Sequence, residues 1–309
     1  MTAKVRHNQL NQDPNDNLLK SDLPTIRQVS LPDGWRTATP GSVGEFTRVG
    51  FCFARQVQQE LNLPIGLLNS CVGGSSIESW MRIEPGNLPA GPAGKKREYG
   101  KLYRERVALL VGYGMRGALW YQGEANSNEG HEYFLKMQSM INDWRALWDL
   151  GDFPFYIVQL AGISESPMDD PAMGDGRARI REAQRHVLTM NHTGMAVAVD
   201  IGEKKDYVSA VPVADAELRW LSIQAKDGTW HWAEARIDSS DLIVSSKDAK
   251  EPIAVRYAYT NYPDGVYLYN AAGLPASPFA PDTKNERAPY GPDESGGFSN
   301  RQKSDWKSP

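Results

Sequence analysis

Cysteine is almost absent from this 309-residue chain, which carries only Cys52 and Cys71. Two cysteines make neither a disulfide framework nor a metal set. Cys52 falls within an apolar helical pattern and Cys71 follows a predicted strand, so core packing is the expected role of both. Long hydrophobic runs are also missing, and no stretch approaches the roughly 20 apolar residues that span a bilayer. No membrane is therefore expected as a partner. Basic runs are lacking and the net charge is only −4, which removes nucleic acid from the expected partners. Residues 1–17, MTAKVRHNQLNQDPNDN, contain no apolar core of the kind a secretory signal needs. As written, the chain is expected in the cytoplasm; a true start upstream would make it secreted or periplasmic. There are no internal repeats.

What is present reads as alternating strand and helix. Short apolar runs lie at Thr25 to Leu31, Ile65 to Asn69, Gly117 to Tyr121, Phe155 to Leu160 and Met195 to Asp200. Such runs suit strands of a parallel sheet buried on both faces. Between them, Val49 to Leu61 sets Phe53, Val57 and Leu61 on one side of a helix, with Val49 at the same spacing. Lys101 to Tyr113, Glu132 to Leu147 and Ala178 to Leu188 also repeat apolar residues at helical spacing. This alternation predicts an α/β layered domain. From Glu217 the pattern changes to short alternating runs, LRWLSIQ, TWHWAEARI, LIVSS, IAVRYAY and VYLYN, with Asp227-Gly228 and Asp264-Gly265 as hairpin signals. The expected organisation is a polar leader over 1–23, an α/β domain over 24–210, a β-rich segment over 211–285 and a disordered tail over 286–309. Nine Trp and thirteen Tyr lean weakly toward carbohydrate, although aromatic rings serve more often as core.

Two stretches carry chemistry. Leu119 to Asn126 (LWYQGEAN) runs from bulky apolar residues straight into Gln122, Gly123 and Glu124. That is a buried strand ending in a polar turn, and strand ends are where open parallel sheets hold ligands. A plain strand-to-helix connection is the competing reading. Pro64 to Trp80 (PIGLLNSCVGGSSIESW) ends a strand in Gly73-Gly74, followed by Ser75, Ser76 and a predicted helix. Paired glycines allow positive φ and let backbone N–H groups point into open space. Such donors suit the oxyanion of acyl transfer. Phosphate binding would want a spaced glycine fingerprint or a Lys-bearing loop, and neither is present.

Together with Phe153 to Leu160 (FPFYIVQL), Ile180 to Gln184 (IREAQ), Asp200 to Glu203 (DIGE), Val255 to Ala258 (VRYA) and Leu268 to Phe279 (LYNAAGLPASPF), these stretches resemble the sialate O-acetylesterase family. The resemblance runs from about Pro24 to about Asp282. It implies a flavodoxin-like three-layer sandwich of the SGNH-hydrolase type, here incomplete, with the C-terminal antiparallel β-rich segment added. It also implies hydrolysis of acetyl esters on sugars by a Ser nucleophile and a His base, with an acetylated sugar (sialic acid or plant polysaccharide) as ligand. By motif match, Gly73 or Gly74 and Gln122 are oxyanion-hole donors, and Glu124 and Asn126 support the loop, Asn126 beside the substrate. No metal or organic cofactor is implied.

The chain departs from the family in two places. The family's nucleophile lies in a Gly-Gln-Ser-Asn segment ending a first strand, and residues 1–24 offer only Asn8 to Asn11 and Ser21-Asp22. The base lies in an Ile-His-Pro segment after the stretch matched by Asp200 to Glu203. Here Lys204 to Pro212 (KKDYVSAVP) keeps Asp206 but no His. His7, His131, His186, His192 and His231 lie elsewhere, and Ser70, Ser75 and Ser76 would have to attack from the oxyanion side. The chain is therefore expected to show little or no esterase activity, with a carbohydrate-binding pseudoenzyme as the alternative. A glycosidase pairing Glu124 with Asp200 or Glu203 ranks last, because nothing fixes the carboxylate separation. Without the family's first strand, Thr25 to Leu31 either pairs directly with Ile65 to Asn69 or is poorly held.

Overall fold

Strand β1 (Leu23–Ser30) buries Ile26 and Gln28 on one face and Val29 on the other, and turns through Asp33 into β2 (Gly34–Ala38), its antiparallel partner. The computed structural model describes residues 18–86, 98–127, 129–162, 170–172, 174, 176–201, 218–239, 241–266, 268–280 and 306–307. Contacts divide the chain into two compact units, Met1–Ser75 with Gly100–Tyr113, and Ser76–Tyr99 with Gly114–Pro309. The expected segment boundary at 210/211, Gly202, Glu203 and Asp206 all lie outside the described residues, as do residues 1–17 of the leader and nearly all of the tail.

In the first unit, helix α1 (Arg48–Leu61) and strand β3 (Ile65–Asn69) complete a sheet ordered β2-β1-β3. β1 and β3 pair directly and in parallel, from Ile26↔Ile65 to Ser30↔Asn69, the first of the two outcomes expected for a strand without the family's first strand beside it. The face of α1 is a correction. The expected inward side was Phe53, Val57 and Leu61, but the helix buries Gly50, Phe51 and Ala54 and leaves Phe53 37% and Leu61 60% exposed. Gly50 has no room for a side chain on its own turn, where a Cβ would stand 2.7 Å from Thr47 Cγ2, and the buried Phe51 and Ala54 join a core with Ile26 and Phe46. Phe51 then meets Phe46 edge-on at 5.9 Å. Lys101 to Tyr113 is helical only in part, with a wide π turn at Tyr103–Val107 and a 3-10 turn at Ala108–Leu110, and it buries only Leu102 and Val107.

The second unit contains β4 (Ala118–Trp120), α2 (His131–Trp148), β5 (Phe155–Val158), α3 (Gly176–His186) and β6 (Thr193–Ala196). Its strands form a parallel sheet ordered β4-β5-β6. β6 begins two residues before the expected Met195 and ends at Ala196, leaving Val197 to Asp200 beyond it. Burial on both faces does not hold for the central strand: Phe155 and Ile157 are buried while Tyr156 is 42% exposed. α2 turns Tyr133, Met137, Met140, Ile141 and Trp148 inward at helical spacing and stops where Asp149 enters the left-handed region. Much of the aromatic content is core here. Trp120 sits edge-on between Trp80 and Trp144, 6.1 Å from each. The helix expected after Gly73-Gly74 is a single 3-10 turn, Ile77–Trp80.

The C-terminal part is antiparallel, as expected. β7 (Leu221–Ala225) and β8 (Trp230–Trp232) pair across the Asp227-Gly228 turn, β9 (Glu234–Asp238) and β10 (Asp241–Ser245) form a hairpin, and β11 (Pro252–Tyr257) joins β7. Short β12 (Tyr269–Asn270) pairs β13 (Trp306–Lys307). Asp264-Gly265 does turn the chain but joins no hairpin ladder among the described residues: Tyr257 bridges Phe279 and Tyr269 bridges Pro275. Arg256 lies over the Trp230 ring at 4.0 Å and near Tyr259 at 5.0 Å, a cation held between aromatic faces.

Candidate functional site

Three parallel strands of the second unit end side by side, and the polar residues of LWYQGEAN leave the end of β4. Two glycines make that approach possible. A Cβ on Gly117 would lie 2.8 Å from the Pro154 carbonyl oxygen, so the strand entrance has no room for a side chain. A Cβ on Gly123 would lie 2.6 Å from Ile180 Cγ2 and 2.9 Å from Leu160 Cδ1, both on fully buried residues. Gly123→Ala is therefore expected to cost about 1–3 kcal/mol through overpacking. A thermal melt indistinguishable from the parent would show that α3 yields without strain.

Gln122 is gripped at both ends. Its Nε2 donates to Asn126 Oδ1 at 2.9 Å, and its Oε1 accepts from the Tyr133 hydroxyl at 2.8 Å. Its backbone oxygen lies 2.9 Å from the same hydroxyl and accepts from Gln184 Nε2 at 3.0 Å. Gln184 in turn accepts from the Leu160 N–H at 3.0 Å, tying the ends of β4 and β5 to α3. Trp120 Nε1 donates to the Tyr133 oxygen at 3.2 Å. Burial pushes the Tyr133 hydroxyl far up, so it remains a neutral donor.

Behind Gln122 lies a buried charge cluster. Asn126 Nδ2 donates toward Glu78 at 3.0 Å and Glu129 at 2.9 Å, and Asn126 Oδ1 also accepts from the Ile77 N–H at 3.0 Å. Lys136 Nζ contacts Glu78 at 2.6 Å, Glu129 at 2.9 Å and Glu132 at 2.6 Å. Glu78, Asn126 and Lys136 are essentially inaccessible. Burial pushes the Glu78 carboxyl up, but the hydrogen bonds from Lys136 and Asn126 outweigh it and leave it below its ordinary value. For Glu129 burial prevails over Lys136 and the value is raised. Burial pulls the Lys136 ammonium down, and its three carboxylates more than reverse that.

The five residues singled out from sequence are thus placed as follows. Gln122 and Asn126 are buried and joined, while Glu124 is exposed in the 3-10 turn Glu124–Asn126, its backbone oxygen accepting from Ser127 Oγ at 2.9 Å. The acidic groups that bond the loop are Glu78 and Glu129, which sequence reasoning passed over. Gly73 and Gly74 belong to the first unit. They form an exposed turn in which Gly74 has φ +70° and open space around its Cβ position. Ser75 Oγ donates back to the Val72 carbonyl at 2.7 Å. Cys71, expected to pack in the core, is instead exposed beyond the end of β3, because the chain has already left the strand for the Gly73-Gly74 turn.

The other titratable groups have local duties. His131 opens α2 against Phe134, ring centres 5.9 Å apart, its value lowered by burial and then by His186. His186 lies 3.0 Å from Glu182, whose carboxyl burial pushes up but His186 and Arg185 bring below normal. His192 contacts the Asp152 carbonyl at 2.7 Å, and His231 contacts Thr229 Oγ1 at 2.9 Å. Asp200 accepts from the Tyr269 hydroxyl at 3.0 Å and is raised by burial. Among the described residues no group of three or more His, Cys, Asp or Glu is placed to hold a metal ion, and no helix is long and apolar enough to cross a membrane.

Comparison with known proteins agrees with this architecture. A family model for carbohydrate esterases, sialic acid-specific acetylesterase, matches residues 35–218, more than half of the chain. Human sialate O-acetylesterase is 26% identical over 226 residues, covering 64% of this chain and 42% of that protein. The mouse sialate O-acetylesterase is 23% identical over 252 residues, 64% of this chain and 46% of its own length. The chain therefore spans less than half the length of these relatives. Among solved structures, a carbohydrate acetylesterase from Xanthomonas citri superposes with a TM-score of 0.77 at 26% identity, covering 92% of this chain and 79% of that one. The α/β, SGNH-like fold is shared with that enzyme, and the chain belongs to the sialic acid-specific acetylesterase family of carbohydrate esterases.

Proposed function

We propose that this chain retains the acyl-oxygen half of a carbohydrate acetyl-ester hydrolase site and, as it stands, turns substrate over little or not at all. The observation that carries the reading is Gln122, an amide at a strand end fixed on its side chain by Asn126 and Tyr133 and on its backbone by Gln184. A preorganised donor of this kind stabilises the oxyanion of an acetyl carbonyl under attack. By motif match Asn126 and Glu124 order the loop, Asn126 beside the substrate, and Gly73 or Gly74 is a further candidate donor through its backbone N–H. The sequence holds no Gly-Gln-Ser-Asn segment and no His between Asp206 and Pro212. Without nucleophile and base, an oxyanion hole with substrate binding leaves only a residual acceleration of roughly 10³–10⁴ over water. A chromogenic acetate ester should show no turnover attributable to a covalent acyl intermediate. Robust turnover that survives Ser75→Ala and Ser76→Ala would reveal a nucleophile elsewhere and overturn the proposal.

The second reading, a carbohydrate-binding pseudoenzyme, draws on the aromatic surface of β8, where Trp232 is 37% exposed and meets Trp220 edge-on at 5.8 Å. Calorimetric titration with O-acetylated sialic acids and xylo-oligosaccharides tests it. No heat with any of them would count against it.

A further inference from the structure

The Asn126 carboxamide lies between two carboxylates on one edge and the Gln122 amide on the other. An amide nitrogen only donates and an amide oxygen only accepts. Ionised Glu78 and Glu129 only accept, so Nδ2 must face them, at 3.0 and 2.9 Å. Oδ1 is then turned toward two donors, Gln122 Nε2 at 2.9 Å and the Ile77 N–H at 3.0 Å. A flipped Asn126 would press its oxygen against two carboxylates and its nitrogen against two N–H groups. The constraint passes one residue further. Gln122 must offer Nε2 to Asn126, which leaves Oε1 for the Tyr133 hydroxyl.

We propose that Lys136, Glu78 and Glu129, acting through Asn126, form an orientation lock that fixes which edge of the Gln122 amide is donor and which is acceptor. The benefit to catalysis rests on the reading that Gln122 donates to an acyl oxygen: a flipped Gln122 would point a carbonyl at a developing negative charge and repel it. The role of Lys136 is to hold the carboxylates ionised, since a protonated carboxyl could donate to a flipped Asn126 and release the lock. The three are positioning residues. Their charge reaches the amide through hydrogen bonds, not through contact with a substrate.

The test is side-chain amide NMR on the ¹⁵N-labelled full chain, with the Gln122 pair assigned through Gln122→Ala. In the parent, the Gln122 amide should exchange at least ~10-fold more slowly than that of exposed Gln59. Glu78→Gln with Glu129→Gln keeps every volume and leaves Lys136 paired with Glu132 at 2.6 Å. In that double variant both orientations of Asn126 find partners, and the Gln122 protection should fall about tenfold while unfolding stays cooperative. If the double variant does not fold, Glu129→Gln alone, at the more accessible carboxylate, applies the same test with an expected loss of about threefold. Unchanged protection, or a parent Gln122 that exchanges like Gln59, overturns the lock. Binding of an O-acetylated sialic acid is read in parallel. Protection that depends on the carboxylates without binding by either protein upholds the lock and counts against the acyl-site reading alone.

Discussion

Lys136→Met is expected to destabilise the chain by about 3–5 kcal/mol near neutral pH, the cost of leaving a buried charge without its partner. Against the 5–15 kcal/mol of net stability usual for a folded domain, that is a large fraction. The magnitude follows from the imbalance already in place: one ammonium faces Glu78, Glu129 and Glu132 at 2.6, 2.9 and 2.6 Å. Remove it, and three carboxylates share one pocket. The pH dependence has a definite sign. Glu78 is held below its ordinary 4.5, so its stabilising contribution is present above that pH and is lost as pH falls through the folded value. Without Lys136 its hydrogen bond and its charge no longer lower Glu78, and burial, opposed only by Asn126 and a backbone hydrogen bond, moves that carboxyl upward. The variant should therefore lose stability as pH rises from about 4.5, and its deficit should shrink toward acid pH, where the carboxyls are neutral. Urea unfolding at several pH values measures this. A second prediction travels with it: Lys136→Met combined with Glu78→Gln should recover part of the loss, because it neutralises the most buried of the three carboxylates and leaves the more accessible Glu129 and Glu132. A deficit that is independent of pH would mean that packing, rather than charge, accounts for the effect.

Local pattern was sufficient for some elements and not for others. β3 was legible residue for residue at Ile65–Asn69, and α2 at Glu132 to Leu147 was short by one residue at each end, because both signals are periodic and local. β2 was missed because Gly34-Trp-Arg-Thr-Ala has no apolar alternation of its own; it is a strand only because β1 offers it a ladder. The inward face of α1 was misread for a related reason. Hydrophobicity ranked Phe53, Val57 and Leu61 first, whereas the face that meets the core carries Gly50, Phe51 and Ala54, beside Ile26 and Phe46. Of the candidate site, Gln122 and Asn126 were legible from their place at a strand end. Glu78 and Lys136 were not, since they are 58 positions apart and only the fold brings them together. A Glu inside Ser-Ile-Glu-Ser-Trp and a Lys among Tyr133, Met137 and Met140 each look like surface charge until their burial is known.

Arg181 is the other position where one side chain holds a disproportionate share of the structure. It is fully buried and donates only to backbone carbonyls among its described hydrogen bonds: Leu160 at 2.7 Å, Ala161 at 3.0 Å, Thr260 at 2.6 Å and Asn261 at 2.8 Å. Two of these acceptors follow β5 and two follow β11, so a single planar fork on α3 ties the parallel sheet to the antiparallel one. Gln159 adds a bond from its Nε2 to the Arg181 carbonyl at 3.2 Å. Arg181→Met keeps the apolar stem but strands four acceptors. At about 1–3 kcal/mol for each buried group left unsatisfied, a loss of about 4 kcal/mol or more is expected even if water reaches some of them. Arg181→Lys should recover only part of it, since an ammonium is a compact charge and cannot span the guanidinium's fixed fork. The readouts are denaturant unfolding and limited proteolysis around residues 258–262, where the link is lost first. A loss below about 1 kcal/mol for Arg181→Met would mean that the carbonyls find other donors, and the clamp would then be dispensable. Cleavage that increases at this segment while the end of β4 stays protected would instead show that the clamp anchors the β-rich part and that the hold on Gln122 does not depend on Arg181.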